Sequence, residues 1–137
     1  MKHVLVGLIL FGYSFQYNQA FASSDIERSG ERIGRWCDTA IPAMPEQDYI
    51  IEIWKSANGG YSYHQIFKTK TSDIPSMNSY VAKKIKGSWQ IQSGFGEYAR
   101  IGDDGGLKIY DGQGFIRKAI PVGPWAKPGE CRTIPPR

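Results

Sequence analysis

Few residues in this chain have the chemistry to react. It holds two cysteines, Cys37 and Cys131, and two histidines, His3 and His64. A redox pair needs close spacing and a low-pKa thiol, and cysteines more than ninety residues apart lack the spacing. A zinc site needs three or four ligands, and nothing near His64 supplies them. No Gly-x-Ser-x-Gly turn is present to raise a serine nucleophile. His64 therefore reads as an exposed or hydrogen-bonded strand histidine rather than a general base. Two carboxylates can hydrolyse a glycoside when a cleft pairs them. Glu52 and Glu97 sit in strand-like stretches, and nothing in the sequence pairs them. Asp103, Asp104 and Asp111 lie in glycine-rich turns, where Asp bonds local N–H groups. Asp103-Asp104-Gly105-Gly106 lacks the ligand ladder of a calcium loop. No catalytic residue, metal or cofactor is expected.

The remaining signal is aromatic and basic. Tyrosines and tryptophans from Tyr61 to Trp125 are interleaved with lysines and arginines. Tyrosine beside arginine suits a protein-binding surface, because it offers rigid area with polar tips. Tyr63, Tyr98 and Tyr110, with Arg100, Lys108 and Arg117, are the expected binding residues; Trp36, Trp89 and Phe115 are expected to fill the core. The same rings on strands could also stack on a glycan. Lys83, Lys84 and Lys86 read as a solvated strand face.

These residues must be positioned by β-strands. Tyr49–Lys55, rich in β-branched and aromatic residues, turns at Asn58-Gly59 into Tyr61–Lys68. Thr71 to Asn78 reads as a loop. Tyr80 to Lys86, Ser88 to Gln92, Glu97 to Ile101, Leu107 to Tyr110 and Phe115 to Ile120 follow as strands between turns. Ile51 and Ile53 alternate with Glu52 and Trp54, and Leu107 and Ile109 with Lys108 and Tyr110. Each strand should thus have one buried and one wet face. Ser24 can cap a short helix running to Arg35, weakened by Gly30 and Gly34. The expectation is all-β and mainly antiparallel: a small barrel or sandwich of six or seven short strands with a short N-terminal helix and one disulfide.

The N-terminus sets the compartment. Lys2 and His3 precede an apolar run from Val4 to Phe11, and Ala20-Phe21-Ala22 supplies the small residues that a signal peptidase reads. Residues 1–22 are read as a signal peptide, with an apolar run too short to span a bilayer. Residues 23–137 then form one β-rich domain, with a Pro- and Gly-rich tail at 121–137. Losing Lys2 lowers the formal net charge from +4 to +3. Export and a weak basic excess argue against nucleic acid as a partner. In an exported chain, Cys37 and Cys131 are most simply a disulfide tying the first ordered segment to the tail.

Gly34-Arg35-Trp36-Cys37, Ile41-Pro42-Ala43-Met44-Pro45, and the stretch from Leu107 through Asp111-Gly112-Gln113-Gly114 to Arg117 resemble small exported proteobacterial proteins of unassigned function. That resemblance implies no mechanism. Ser93-Gly94-Phe95-Gly96-Glu97-Tyr98 resembles the Ser-Gly-x-x-Tyr motif of the periplasmic inhibitors of c-type lysozyme, with one residue too many. The family's second motif, Tyr followed by Thr-Lys-Gly, has no counterpart near Tyr110. The resemblance implies a disulfide-bonded barrel and adds Ser93, Gly94 and Tyr98 as binding residues. Together these features predict a non-catalytic periplasmic or secreted binding protein, an inhibitor or immunity-type protein acting on an envelope-directed protein. The alternatives are an accessory structural component of an envelope, secretion or conjugation assembly, and a small carboxylate-dependent hydrolase.

Overall fold

The computed structural model describes residues 28–38, 49–69, 71–129 and 131. The expected signal peptide, the Ser24 cap, the Ile41–Pro45 segment and the end of the tail lie outside them.

Eight strands follow one another around a closed antiparallel barrel: β1 (Glu31–Asp38), β2 (Tyr49–Lys55), β3 (Tyr61–Phe67), β4 (Ser76–Ile85), β5 (Ser88–Ile91), β6 (Tyr98–Ile101), β7 (Leu107–Asp111) and β8 (Gly114–Pro121). Strand β1 pairs with both β2 and β8, through Trp36 opposite Pro121 and Cys37 opposite Ile120, and this closes the sheet. The expected helix is corrected by β1, since Glu31–Arg35 are strand. The expected Thr71–Asn78 loop is shorter, because β4 begins at Ser76.

Alternation sends one face of each strand inward. Trp36, Ile51, Ile53, Tyr63, Trp89, Ile91, Leu107 and Ile109 fill the interior, with Ala82, Ala99 and Ala119 where the rings need room. Gly34 is also inward, and its lack of a side chain seats the Trp36 indole. A Cβ there would lie 2.3 Å from that ring. The Trp36 Nε1 donates to the Gly105 carbonyl at 2.7 Å, which fixes the ring across the end of the barrel that carries the β2–β3, β4–β5 and β6–β7 turns. Lys84 folds over Trp89, 4.9 Å from the ring centroid. The lysines at 83, 84 and 86 therefore do not share one face: Lys84 crosses the end of the barrel, and Lys86 sits in the β4–β5 turn with φ 52°.

A second cluster lies outside the barrel wall. Cys37, Ile50 and Ile66 point outward and are covered by Val122, Ala126 and Cys131 of the tail. The Cys37–Cys131 disulfide holds this layer down across 94 residues of sequence. Arg35 clamps it as well, donating from Nη1 to the Gly123 and Ala126 carbonyls, both at 2.8 Å, and from Nε to Glu52 at 2.8 Å. Among the described residues no helix is long and apolar enough to cross a membrane.

Candidate binding surface

Tyr98 on β6 stands opposite Tyr110 on β7, and Tyr110 opposite Phe115 on β8. All three side chains point away from the barrel, because their neighbours Ala99 and Ile109 point in. The two tyrosine rings stack with centroids 4.9 Å apart and planes 6° apart. Phe115 meets Tyr110 edge-on at 5.7 Å. The stacking distance equals the spacing between neighbouring strands. The rings therefore stack along the sheet and turn their edges and hydroxyls, not their faces, toward a partner. Arg100 stands opposite Lys108, and Lys108 opposite Lys118, one step along the same face. The result is an aromatic row beside a basic row.

Phe115 was expected in the core and is instead 59% exposed. A bulge explains the correction. The β7–β8 register shifts between Ile109 and Tyr110, so Phe115 and Ile116 together oppose one residue of β7. The extra residue breaks the alternation that would have carried Phe115 inward. Ser93 and Gly94 lie in the β5–β6 loop at the same end as Tyr98. Ser93 Oγ accepts from the Phe95 N–H at 3.3 Å, and Gly94 takes φ 89°. Phe95, in the same loop, is 76% exposed.

Two of the expected surface residues are elsewhere. Tyr63 is only 2% exposed and sits inside the barrel. Arg117 also points inward, donating from Nε to the fully buried Asp38 at 2.7 Å. The structure thus brings Tyr98, Arg100, Lys108 and Tyr110 onto one face, places Ser93 and Gly94 beside it, and removes Tyr63 and Arg117 from it.

Glu52 and His64 were assigned to a wet face or an ordinary strand position, yet both are buried on the outside of the wall. Glu52 receives Arg35 at 2.8 Å, Arg28 at 3.2 Å and the Trp54 indole N–H at 2.8 Å, with Arg32 at 3.7 Å. Burial pushes its carboxyl up, but the Trp54, Arg35 and Arg28 contacts outweigh that and hold it below the usual value. His64 is the cross-strand neighbour of Glu52. Its Nδ1 lies 2.8 Å from Ser79 Oγ and its Nε2 2.7 Å from Ser62 Oγ. A hydroxyl against an imidazole is the geometry of a nucleophile and its base. Here His64 is 0% and Ser79 2% exposed, so the contact pins β3 to β4 with no approach for a substrate.

That burial has a consequence in acid. Desolvation, aided by Arg28 and opposed by Glu52, pushes the His64 pKa down from 6.5 to about 4. The neutral ring is the one the fold holds, so its contribution is complete above pH 6.5 and is lost as pH falls toward 4. The total is about 3 kcal/mol. Urea midpoints should drop between pH 7 and pH 5, before most carboxylates titrate, and His64→Gln should flatten that slope. Equal midpoints for the wild-type chain at both pH values would contradict the assignment.

Fold and surface define the class: a disulfide-stapled, eight-stranded up-and-down antiparallel barrel. No protein-family model, no curated protein and no solved structure matches the chain.

Proposed function

We propose that this chain is a non-catalytic, exported binding protein that grips another protein with the outer face of β6, β7 and β8. The observation that carries this reading is the Tyr98–Tyr110–Phe115 row, outward-facing and bordered by Arg100, Lys108 and Lys118. Monomeric proteins keep large aromatic side chains apart on their surfaces, and a contiguous row marks an interaction site. Edge-on rings with outward hydroxyls suit a protein surface better than the flat stacking face a sugar needs. The basic row favours an acidic patch on the partner. The partner fits an inhibitor or immunity-type role against an envelope-directed protein. The signal-like N-terminus and the disulfide support a meeting in the periplasm or outside the cell. The alternative, an assembly component that adds a partner strand to its own sheet edge, gains less support, because closure of a barrel removes continuous edges.

The test begins with c-type lysozyme. The purified chain is assayed for inhibition of muralytic activity and for direct binding, and then for capture of proteins from periplasmic extract. Tyr110→Ala should weaken any complex found by roughly 2 kcal/mol, or about thirtyfold in Kd. Ala substitution at the exposed Ile74, far along the chain from this face, should leave it unchanged. Binding that is indifferent to Tyr98→Ala and Tyr110→Ala, or no bound protein at all, would remove the proposal.

A further inference from the structure

The two ends of the barrel interior differ. One end is sealed by Trp36, Trp89 and Lys84. At the other end the inward positions turn polar: Tyr63 and Gln65 on β3, Asn78 and Tyr80 on β4, Glu97 just before β6, and Arg117 on β8. Register fixes their direction. Tyr63 stands opposite Ile53 and Tyr80, Gln65 opposite Ile51 and Asn78, and Arg117 opposite Ile109, and those isoleucines belong to the core. Glu97 is two residues before the buried Ala99, and its carboxylate lies close enough to act on both Tyr63 and Tyr80.

Buried polar groups ordinarily find partners; among the described residues, the Trp89 Nε1 at the sealed end lacks one, and at this end several inward-facing polar groups without a partner lie together. Tyr63 is 2% exposed, yet its hydroxyl makes no hydrogen bond to any described residue. Arg117 uses only Nε, on Asp38, and leaves both terminal nitrogens without a partner among the described residues. The side chains of Gln65, Asn78, Tyr80 and Glu97 likewise have no hydrogen-bond partner there, and all four are half-buried rather than sealed. Tyr49 and Phe67 meet edge-on at 5.5 Å on the rim and give this end an apolar lip.

The geometry points to a small-molecule site in this mouth of the barrel, built to take a neutral polyhydroxylated ligand of saccharide type. Two phenols, two amides and the free face of one guanidinium offer donors, while Glu97 and the amide oxygens offer acceptors. A sugar hydroxyl, which donates and accepts at once, is the group that satisfies both. Charge decides against an anion. Among the described residues, Asp38 pairs with Arg117 and Glu97 adds a further negative charge. An eight-stranded barrel is just wide enough inside for its side chains or for one small ligand, so a ligand here sits at the polar mouth, beyond the packed core. This site is separate from the outer face of β6–β8, so either can fail without the other.

The test uses maltose and di-N-acetylchitobiose as neutral probes, citrate as an anionic probe and spermidine as a cationic one, read by saturation-transfer NMR and by thermal shift. The neutral sugars should bind in the millimolar range, on the order of 1 mM. Tyr63→Phe should weaken them at least about tenfold. Because the Tyr63 hydroxyl has no partner among the described residues, that variant should keep the wild-type melting temperature. Tyr110→Ala, on the outer face, should leave sugar binding unchanged. The proposal is overturned by binding of citrate or spermidine in preference to both sugars, by no sugar signal, or by sugar binding that Tyr63→Phe leaves intact. A Tyr63→Phe chain that melts earlier would also count against it, since the hydroxyl would then be serving the fold.

Discussion

Glu52→Ala should be the most damaging single substitution in the barrel, at about 3–5 kcal/mol. The carboxylate is 3% exposed at its side chain and is the shared acceptor for Arg28, Arg35 and the Trp54 indole, with Arg32 close by. Removing it leaves like charges crowded around a vacated position and a half-buried indole N–H without its acceptor. The cost is that of uncompensated groups, which exceeds the net worth of the pairs themselves. The damage should also spread. Arg35 uses the same guanidinium to hold the Gly123 and Ala126 carbonyls, so an Arg35 released from Glu52 loosens the tail over Ile50 and Ile66. Glu52→Gln should cost less, because the amide oxygen still accepts from one donor. Urea unfolding at pH 7 measures both. A Glu52→Ala chain within about 1 kcal/mol of wild type would mean that the arginines are held by solvent and not by this carboxylate. Acid should mimic the substitution. The folded pKa lies below the usual 4.5, so the stabilisation is present above pH 4.5 and is lost as pH falls through the lowered value.

The strands were legible wherever the evidence for them was local. Asn58-Gly59 announces a hairpin, and Gly59 takes φ 92° in a turn closed by the Ser56 and Gly60 backbones. Leu107 and Ile109 alternate with Lys108 and Tyr110 as the pattern requires. The errors cluster where distant chain decides. Ser24–Arg35 carry a capping residue and two glycines, which reads as a weak helix. Pairing with Glu52–Lys55 overrides that propensity, and Gly34 turns out to seat an indole. A sandwich and a barrel share the same strands, and the pairing of Trp36 and Cys37 with Pro121 and Ile120 separates them. Alternation correctly sends Glu52 outward. Its burial depends on Arg28, Arg35 and Trp54 folding over it, which no local pattern encodes. On β3, Tyr61, Tyr63 and Gln65 share one face and Ser62, His64 and Ile66 the other, so neither face is clearly the apolar one. Tyr63 was therefore misplaced, and the polar mouth it belongs to went unseen. Phe115 was lost to a one-residue bulge, which no period-two reading anticipates.

The disulfide should account for the other large effect. Cys37 lies on the seam that closes the barrel, opposite Ile120, while Cys131 lies in the tail layer over Ile50 and Ile66. The bond therefore spans 94 residues and ties the last described residue to the first strand. Loop closure on that scale restricts the unfolded chain by roughly 4 kcal/mol. A Cys37→Ala, Cys131→Ala double variant should lose about that much in urea unfolding, and the single variants should lose as much. The native-state consequence is separable. Without the bond, the tail is held by two carbonyls on Arg35 and by the Val122 N–H donated to the Arg35 carbonyl at 3.0 Å. Hydrogen exchange at Val122 and Ala126 should speed up by more than the global change predicts, while Ile53 and Ile109, deep in the barrel, should follow the global change alone. If the tail amides and the core amides shift together, the tail is part of the same cooperative unit, and the bond acts only by limiting the unfolded chain. If the tail shifts further, the staple also keeps a second layer seated on a barrel that can close without it.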